Sequence, residues 1–250
     1  MQKRDWWPRP FERMVVLGES TVEGGPWVAC TEERWADILA GLISRCQGRE
    51  IAYYNKGIGA NAISPRSPGY ADSRKPSAME RYRDDVISLS PDLFILCYGL
   101  NDMRAGMDVE AFREDMQTII ADVRQACQTL TVLTTVYHMT AFRSYLPYDK
   151  GGAYQTLVYN EVIRQLAEAN DCLLADVWQA EGGGDWLIHP DGVHANAVGN
   201  LVIAHRVFEV LAHSCSGLSA ATRELAWSTA WTKETTTARV AAGDPYRQTW

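Results

Sequence analysis

The stretch "PDLFILCYGLND", residues 91–102, decides the fold. Its centre is an unbroken apolar run with no in-out alternation. A strand covered on only one face would alternate, so this one is read as covered on both, as central strands of parallel sheets are. The run, read as a strand over 91–99, ends at a glycine. An amide and a carboxylate side chain, Asn101 and Asp102, follow at once.

Working outward, four more short apolar runs carry the same signature: "MVVLG" (14–18), "IAYYNKG" (51–57), "LTVLTTVY" (130–137) and "CLLADV" (172–177). Between and after them lie segments with apolar residues at helical spacing, at 34–46, 108–128, 154–170 and 196–213. Strands separated by helices of this length need crossover connections. The chain is therefore of the α/β class, with a five-stranded, mostly parallel central sheet and helices on both faces. Two segments interrupt the pattern, 61–77 and 138–153. Both are read as long loops, the kind that wall a binding site.

The 250 residues are 46% hydrophobic and 22% charged, which suits one domain, taken as residues 1–213. Residues 214–250 form an extension carrying Trp227, Trp231 and Trp250, expected to pack on the domain or on a partner subunit of a homo-oligomer. A net charge of −7 without a basic run argues against nucleic acid as a partner. No apolar run reaches the roughly 18 residues of a membrane span, and no secretory leader is evident, so a cytoplasmic location is expected. The six cysteines form no CxxC pair and no zinc-spaced cluster. Cys97 and Cys172 are read as buried thiols, and Cys30 as the one to examine for reactivity. No metal or cofactor is expected.

In open parallel sheets, sites form at the carboxyl ends of strands. After the first strand comes "GEST", with Ser20 in a tight turn. After the second comes "NKGIGAN" (55–61), after the third "GLND" (99–102), and beyond the fifth "DGVH" (191–194). A hydroxyl, a glycine-rich turn, an amide and an acid–imidazole pair are what acyl transfer through a serine needs. Ser20 is a weak nucleophile without a base, His194 can supply one, and Asp191 can orient the imidazole. The N–H of Ser20, an N–H from the "GIGA" turn and the Asn101 amide can converge on an oxyanion.

These four blocks, in this order, resemble those of the SGNH hydrolases, the GDSL esterase/lipase superfamily, over residues 14 to about 210. The resemblance implies a flavodoxin-like α/β/α sandwich and metal-free ester hydrolysis. It implies Ser20 as nucleophile, Asn101 as an oxyanion donor, and Asp191 and His194 as the rest of a triad. Two positions depart from the family pattern. Glu19 stands where an aspartate is usual and is expected to brace the turn. Ala60 stands where a glycine usually gives the oxyanion N–H. Either Ala60 donates in an ordinary conformation or Gly59 does.

Other candidates read differently. His189 precedes Pro190 and is the lesser base. His138 lies on the surface or at the pocket wall. His205 and His213 are structural residues of the last helix. Asp102 is a brace, and Met103 with Arg104 faces the pocket entrance or supports its loop. Trp27, Tyr70, Phe142, Tyr145, Tyr148 and Trp186 stand in loops, where aromatics can stack on a sugar or wall an acyl pocket. The expected substrate is a short-chain acyl ester of a small molecule or a carbohydrate. The same triad would also serve an acyltransferase or a thioesterase.

Overall fold

The computed structural model describes residues 4–222. In chain order its regular elements are β1 (Arg13–Gly18), α1 (Ser20–Glu23), α2 (Trp35–Gln47), β2 (Ala52–Gly57), α3 (Tyr70–Ser73), α4 (Ala78–Asp85) and β3 (Leu93–Cys97). Then follow α5 (Leu100–Ala105), α6 (Val109–Ala126), β4 (Leu130–Thr134), α7 (Ala153–Ala169), β5 (Leu173–Ala175), α8 (Val177–Glu181) and α9 (Ala197–Ser214). The strands form one sheet in the order β2-β1-β3-β4-β5, and every neighbouring pair is parallel. This is the flavodoxin-like order, with its switch point between β1 and β3.

The central run behaves as its composition requires. Leu93, Phe94, Ile95 and Leu96 of β3 are wholly buried, as are Met14, Val15, Val16 and Leu17 of β1. Trp35, Leu39 and Ile43 on α2 and Phe112, Met116, Ile119 and Ile120 on α6 belong to the same core. Asp92 accepts the backbone N–H groups of Glu12 and Arg13, at 2.7 and 2.9 Å, and so registers the start of β1 against β3.

β3, β4 and β5 end earlier than the sequence reading has them: β3 stops at Cys97 rather than at residue 99, and β5 at Ala175 rather than at residue 177. β4 stops at Thr134 rather than at residue 137. The amide side chain of Asn160 on α7 takes both the N–H and the C=O of Val136, at 2.7 and 3.0 Å. With those groups engaged, the ladder cannot continue. The first long loop also contains a short helix, α3, and runs into α4, which its proline- and serine-rich approach concealed. A capping box between Ser77 and Glu80 starts α4.

The first residues of the predicted extension lie on the domain. Trp6 N–H donates to the Ser214 carbonyl, Gly217 N–H to the Trp7 carbonyl, and Ser216 N–H to Asp5. Residues 223–250, with Trp227, Trp231 and Trp250, lie outside the described residues.

Candidate active site

Four strand ends meet at the β1/β3 switch point. Ser20 is the first residue of α1, directly after β1, so it stands on a helical turn rather than in an isolated tight turn. Gly57, at the end of β2, lets α1 sit this low: a Cβ there would strike the backbone nitrogen of Glu23. Asn55 ties the two pieces together, donating to the Val22 carbonyl at 2.6 Å and accepting Gly57 N–H at 2.9 Å.

The Ser20 Oγ lies 2.9 Å from His194 Nε2, and His194 Nδ1 lies 2.8 Å from Asp191 Oδ2. Asp191 uses its other oxygen for the backbone N–H groups of Val193 and His194, at 2.8 and 3.0 Å. One tight turn therefore holds both acid and imidazole. Burial alone would raise the Asp191 carboxyl. The His194 backbone and ring, with Val193 N–H, outweigh it and hold the pKa at about 2. The aspartate is then purely an acceptor, so His194 Nδ1 carries the proton and Nε2 of the neutral ring accepts from Ser20. Burial lowers the His194 pKa below its ordinary value. Asp191 opposes this, while the charges of Arg104 and His189 add to it.

Hydrogen bonding distinguishes the two candidate N–H groups on the oxyanion side. Gly59 N–H donates to the Glu23 carboxylate at 2.7 Å, which removes it from the choice left open in the sequence. Ala60 lines the cleft with its N–H unpaired among the described residues, but not in an ordinary conformation: its φ is +54°, in the left-handed region. Alanine here keeps the backbone shape that a glycine would adopt without strain. The Ser20 N–H also lacks a protein acceptor among the described residues. Asn101 donates one amide hydrogen to the Asn61 carbonyl at 3.1 Å, and its second remains available to the cleft.

Beneath these groups sits a buried acidic layer. Glu19 accepts the N–H groups of Gly99 and Asn101, at 2.9 and 3.3 Å, and so braces β1 against the turn after β3. Asp102 accepts Ile63 N–H at 3.1 Å. Burial raises both carboxyls, Glu19 well above its ordinary value and Asp102 to about 7. Arg81, which nothing in the sequence signalled, crosslinks three strand ends through the carbonyls of Lys56 and Gly18 and the Tyr98 hydroxyl.

The cleft over Ser20 encloses about 330 Å³. Of the loop aromatics, Trp27, Tyr145 and Tyr148 line it, with Ser144, Arg104 and Val193. Tyr70, Phe142 and Trp186 do not: Tyr70 bonds Glu80, Phe142 packs on the core, and Trp186 points outward. His138 is outside the lining as well, bonding Asp185 at 2.8 Å and resting edge-on against Trp178. His189 has an acid neighbour that its spacing did not suggest: its Nδ1 stands 3.3 Å from Asp191 Oδ2. Met103 is buried core rather than entrance. Cys30 is exposed, and a hydrogen bond to Glu32 pushes its thiol up, the opposite of an activated thiolate.

Fold and geometry together define an α/β protein with a serine–imidazole–carboxylate relay at the carboxyl edge of a parallel sheet. Residues 16–202 match the GDSL-like Lipase/Acylhydrolase family, and the chain belongs to that family. It is accordingly a carboxylic ester hydrolase. Among solved structures it is similar to TesA, at 15% identity and TM-score 0.63, covering 80% of this chain and 98% of that one. It is similar to the lipase/acylhydrolase from Enterococcus faecalis, at 19% identity and TM-score 0.61, covering 80% and 95%. It also resembles the acetylxylan esterase Axe2 from Geobacillus stearothermophilus, at 17% identity and TM-score 0.60, covering 84% and 96%. No curated protein sequence matches it. At these identities the likeness is one of fold. Among the described residues no helix is long and apolar enough to cross a membrane.

Proposed function

We propose that the protein hydrolyses short-chain acyl esters through Ser20, His194 and Asp191 by way of an acyl-enzyme, with acetylated carbohydrate as the favoured substrate class. The observation that carries the reading is the unbroken relay from Ser20 Oγ through His194 to Asp191, at 2.9 and 2.8 Å. His194 Nε2 takes the Ser20 proton as Oγ attacks the acyl carbon. The resulting oxyanion is met by the N–H groups of Ser20 and Ala60 and by the Asn101 amide. The imidazolium, stabilised by Asp191, then protonates the leaving alcohol. Water, deprotonated by the same imidazole, attacks the acyl-enzyme; the acyl C–Oγ bond breaks, His194 returns the proton to Ser20 Oγ, and the acid is released.

The cleft volume of about 330 Å³ is at the small end of ligand pockets, which favours a short acyl chain over a lipid. Tyr145 at its wall is exposed and offers a ring face of the kind that stacks on sugars. The fold likeness to an acetylxylan esterase points the same way. The proposal also places the enzyme in the cytoplasm, a reading supported by six free thiols.

The test is hydrolysis of 4-nitrophenyl esters from C2 to C12 and of acetylated xylose, with Ser20→Ala as control. Activity confined to short chains and acetyl sugars, and absent from a folded Ser20→Ala variant, is expected. Undiminished turnover in that variant would overturn the nucleophile. Product analysis with an added alcohol separates hydrolysis from acyl transfer.

A further inference from the structure

The relay and its oxyanion donors leave one charge in the cleft without a task. Arg104 stands on α5, three residues after Asn101, and lines the same cleft as Ser20 and His194. It is only 6% exposed. Its Nε donates to the Phe142 carbonyl at 3.3 Å and its Nη2 to Ser144 Oγ at 2.9 Å, while the Tyr148 ring lies 5.7 Å from the guanidinium carbon. Nη1 has no partner among the described residues, and it is not sealed from solvent.

Arg81 is almost equally buried, at 7% exposed, and shows what such a group ordinarily requires. It has the Asp85 carboxylate at 2.7 Å, with two carbonyls and a tyrosine hydroxyl besides. Among the described residues Arg104 has one carbonyl, one hydroxyl and no ion pair. Glu19, the carboxylate whose field reaches it, is engaged with the N–H groups of Gly99 and Asn101. Arginine is rarely buried without a counter-anion, because the desolvation of its charge is otherwise uncompensated. Burial accordingly pushes the Arg104 pKa down, and its positive charge is felt at His194. No second lysine or arginine lines the cleft. A single guanidinium balances a monoanion, and its planar edge matches a carboxylate.

We propose that the ester this cleft accepts carries a carboxylate, which docks on the free Nη1 of Arg104 while Ser20 attacks the ester carbon. The inference rests on the ester-hydrolase reading and, among short-chain esters, sets those that carry a carboxylate above neutral acetyl esters. The carboxylate can belong to the acyl part or to the alcohol part, and two substrate pairs separate these. Monoethyl succinate and ethyl succinamate differ by charge on the acyl side. 4-Acetoxybenzoate and 4-acetoxybenzamide differ by charge on the alcohol side.

In the wild type, kcat/KM for the carboxylate member of one pair should exceed that of its neutral partner by about tenfold or more, chiefly through KM. The pair that shows it identifies the side. Arg104→Met should bring that ratio to about one, and Arg104→Lys should retain part of it. Loss of the Phe142 and Ser144 contacts would slow charged and neutral esters alike, so the ratio separates docking from loop support. Calorimetry with the same four compounds on Ser20→Ala keeps the inference testable apart from turnover. Carboxylate-selective binding that Arg104→Met abolishes upholds it even if no ester is cleaved, in which case the hydrolase reading is what fails. Ratios near one in both pairs, with 4-nitrophenyl acetate still hydrolysed, would overturn it, as would a ratio that neither Arg104 variant changes.

Discussion

The indole of Trp27 lies flat on the imidazole of His194, with ring centroids 3.5 Å apart and planes within 2°. The chain is built for this contact. Gly25 passes beneath the same indole, and a Cβ there would overlap the ring. The indole is thus held between a bare backbone and the imidazole. It shields one face of His194 from water and restricts rotation out of the line joining Asp191 to Ser20. Trp27→Ala should let water reach that face and raise the His194 pKa toward its ordinary value. The midpoint of kcat/KM against pH should then move upward, and kcat should fall about threefold to tenfold, the scale of one aromatic stacking contact. Trp27→Phe should restore most of both. A profile that Trp27→Ala leaves in place would show that the indole only walls the cleft.

The pH dependence of the wild type follows from the same ring. In the proposed reaction the neutral imidazole is the base, and burial lowers its pKa below the ordinary 6.5. kcat/KM should therefore rise with pH on a single limb centred below 6.5 and be level by about pH 7.5. Asp191 stays ionised throughout, since its carboxyl is held at about 2. Asp191→Asn removes the acceptor that fixes the His194 tautomer and should lower kcat by on the order of 10³–10⁴. Pre-steady-state and steady-state rates on 4-nitrophenyl acetate check both. A loss of less than tenfold in Asp191→Asn would mean the turn alone orients the imidazole.

Glu181 gives a stability prediction, and its carboxyl is shifted in the opposite direction to that of Asp191. It is buried, one oxygen accepts His138 N–H at 2.7 Å, and the other has no partner among the described residues. Burial raises its pKa from 4.5 to about 8. Between those values the unfolded chain has released a proton that the folded protein still holds. Stability is then lost as pH rises from 4.5 to about 8. Glu181→Gln imitates the protonated side chain. It should raise the thermal midpoint at pH 8.5 and leave it nearly unchanged at pH 4.5. Equal shifts at both pH values would show an effect of packing rather than of charge.

Much of this was legible in the sequence, and the rest was not for physical reasons. The strands were readable because central parallel strands are covered on both faces, so "LFILC" and "MVVL" declare themselves by composition. The relay was readable because Asp191 and His194 meet around one local turn and Ser20 follows directly on a strand. Contacts set by tertiary packing left no local trace. The Asn160 side chain that ends β4, Arg81 beneath the strand ends, and Trp27 over His194 are all brought together across long stretches of chain. Glu23 is an intermediate case. It lies one helical turn after Ser20, so its side chain could have been placed beside the nucleophile. That it takes the Gly59 N–H depends on how β2 leaves the sheet.

Ala60 is where sequence and conformation conflict, and this makes it the position to change. Its φ of +54° costs an L-residue with a Cβ about 1 kcal/mol relative to glycine, less the greater freedom glycine has in the unfolded chain. Ala60→Gly should therefore stabilise the fold modestly, raising the thermal midpoint by up to about 2–4 °C. The N–H offered to the oxyanion is the same in both, so kcat on 4-nitrophenyl acetate should stay within about twofold of the wild type. Gly59→Ala at the neighbouring position separates the two N–H groups. Its Cβ would press on the Glu23 carboxylate that holds the turn, with Glu23 Oε2 only 2.6 Å away. That variant should lose activity through displacement of Ala60, although Gly59 N–H itself points to Glu23 and not to the cleft. Retained activity in Gly59→Ala would show that the Glu23–Gly59 contact is not what positions the Ala60 N–H, and a loss in Ala60→Gly would show that the alanine's restricted backbone, beyond its N–H, is what the reaction uses.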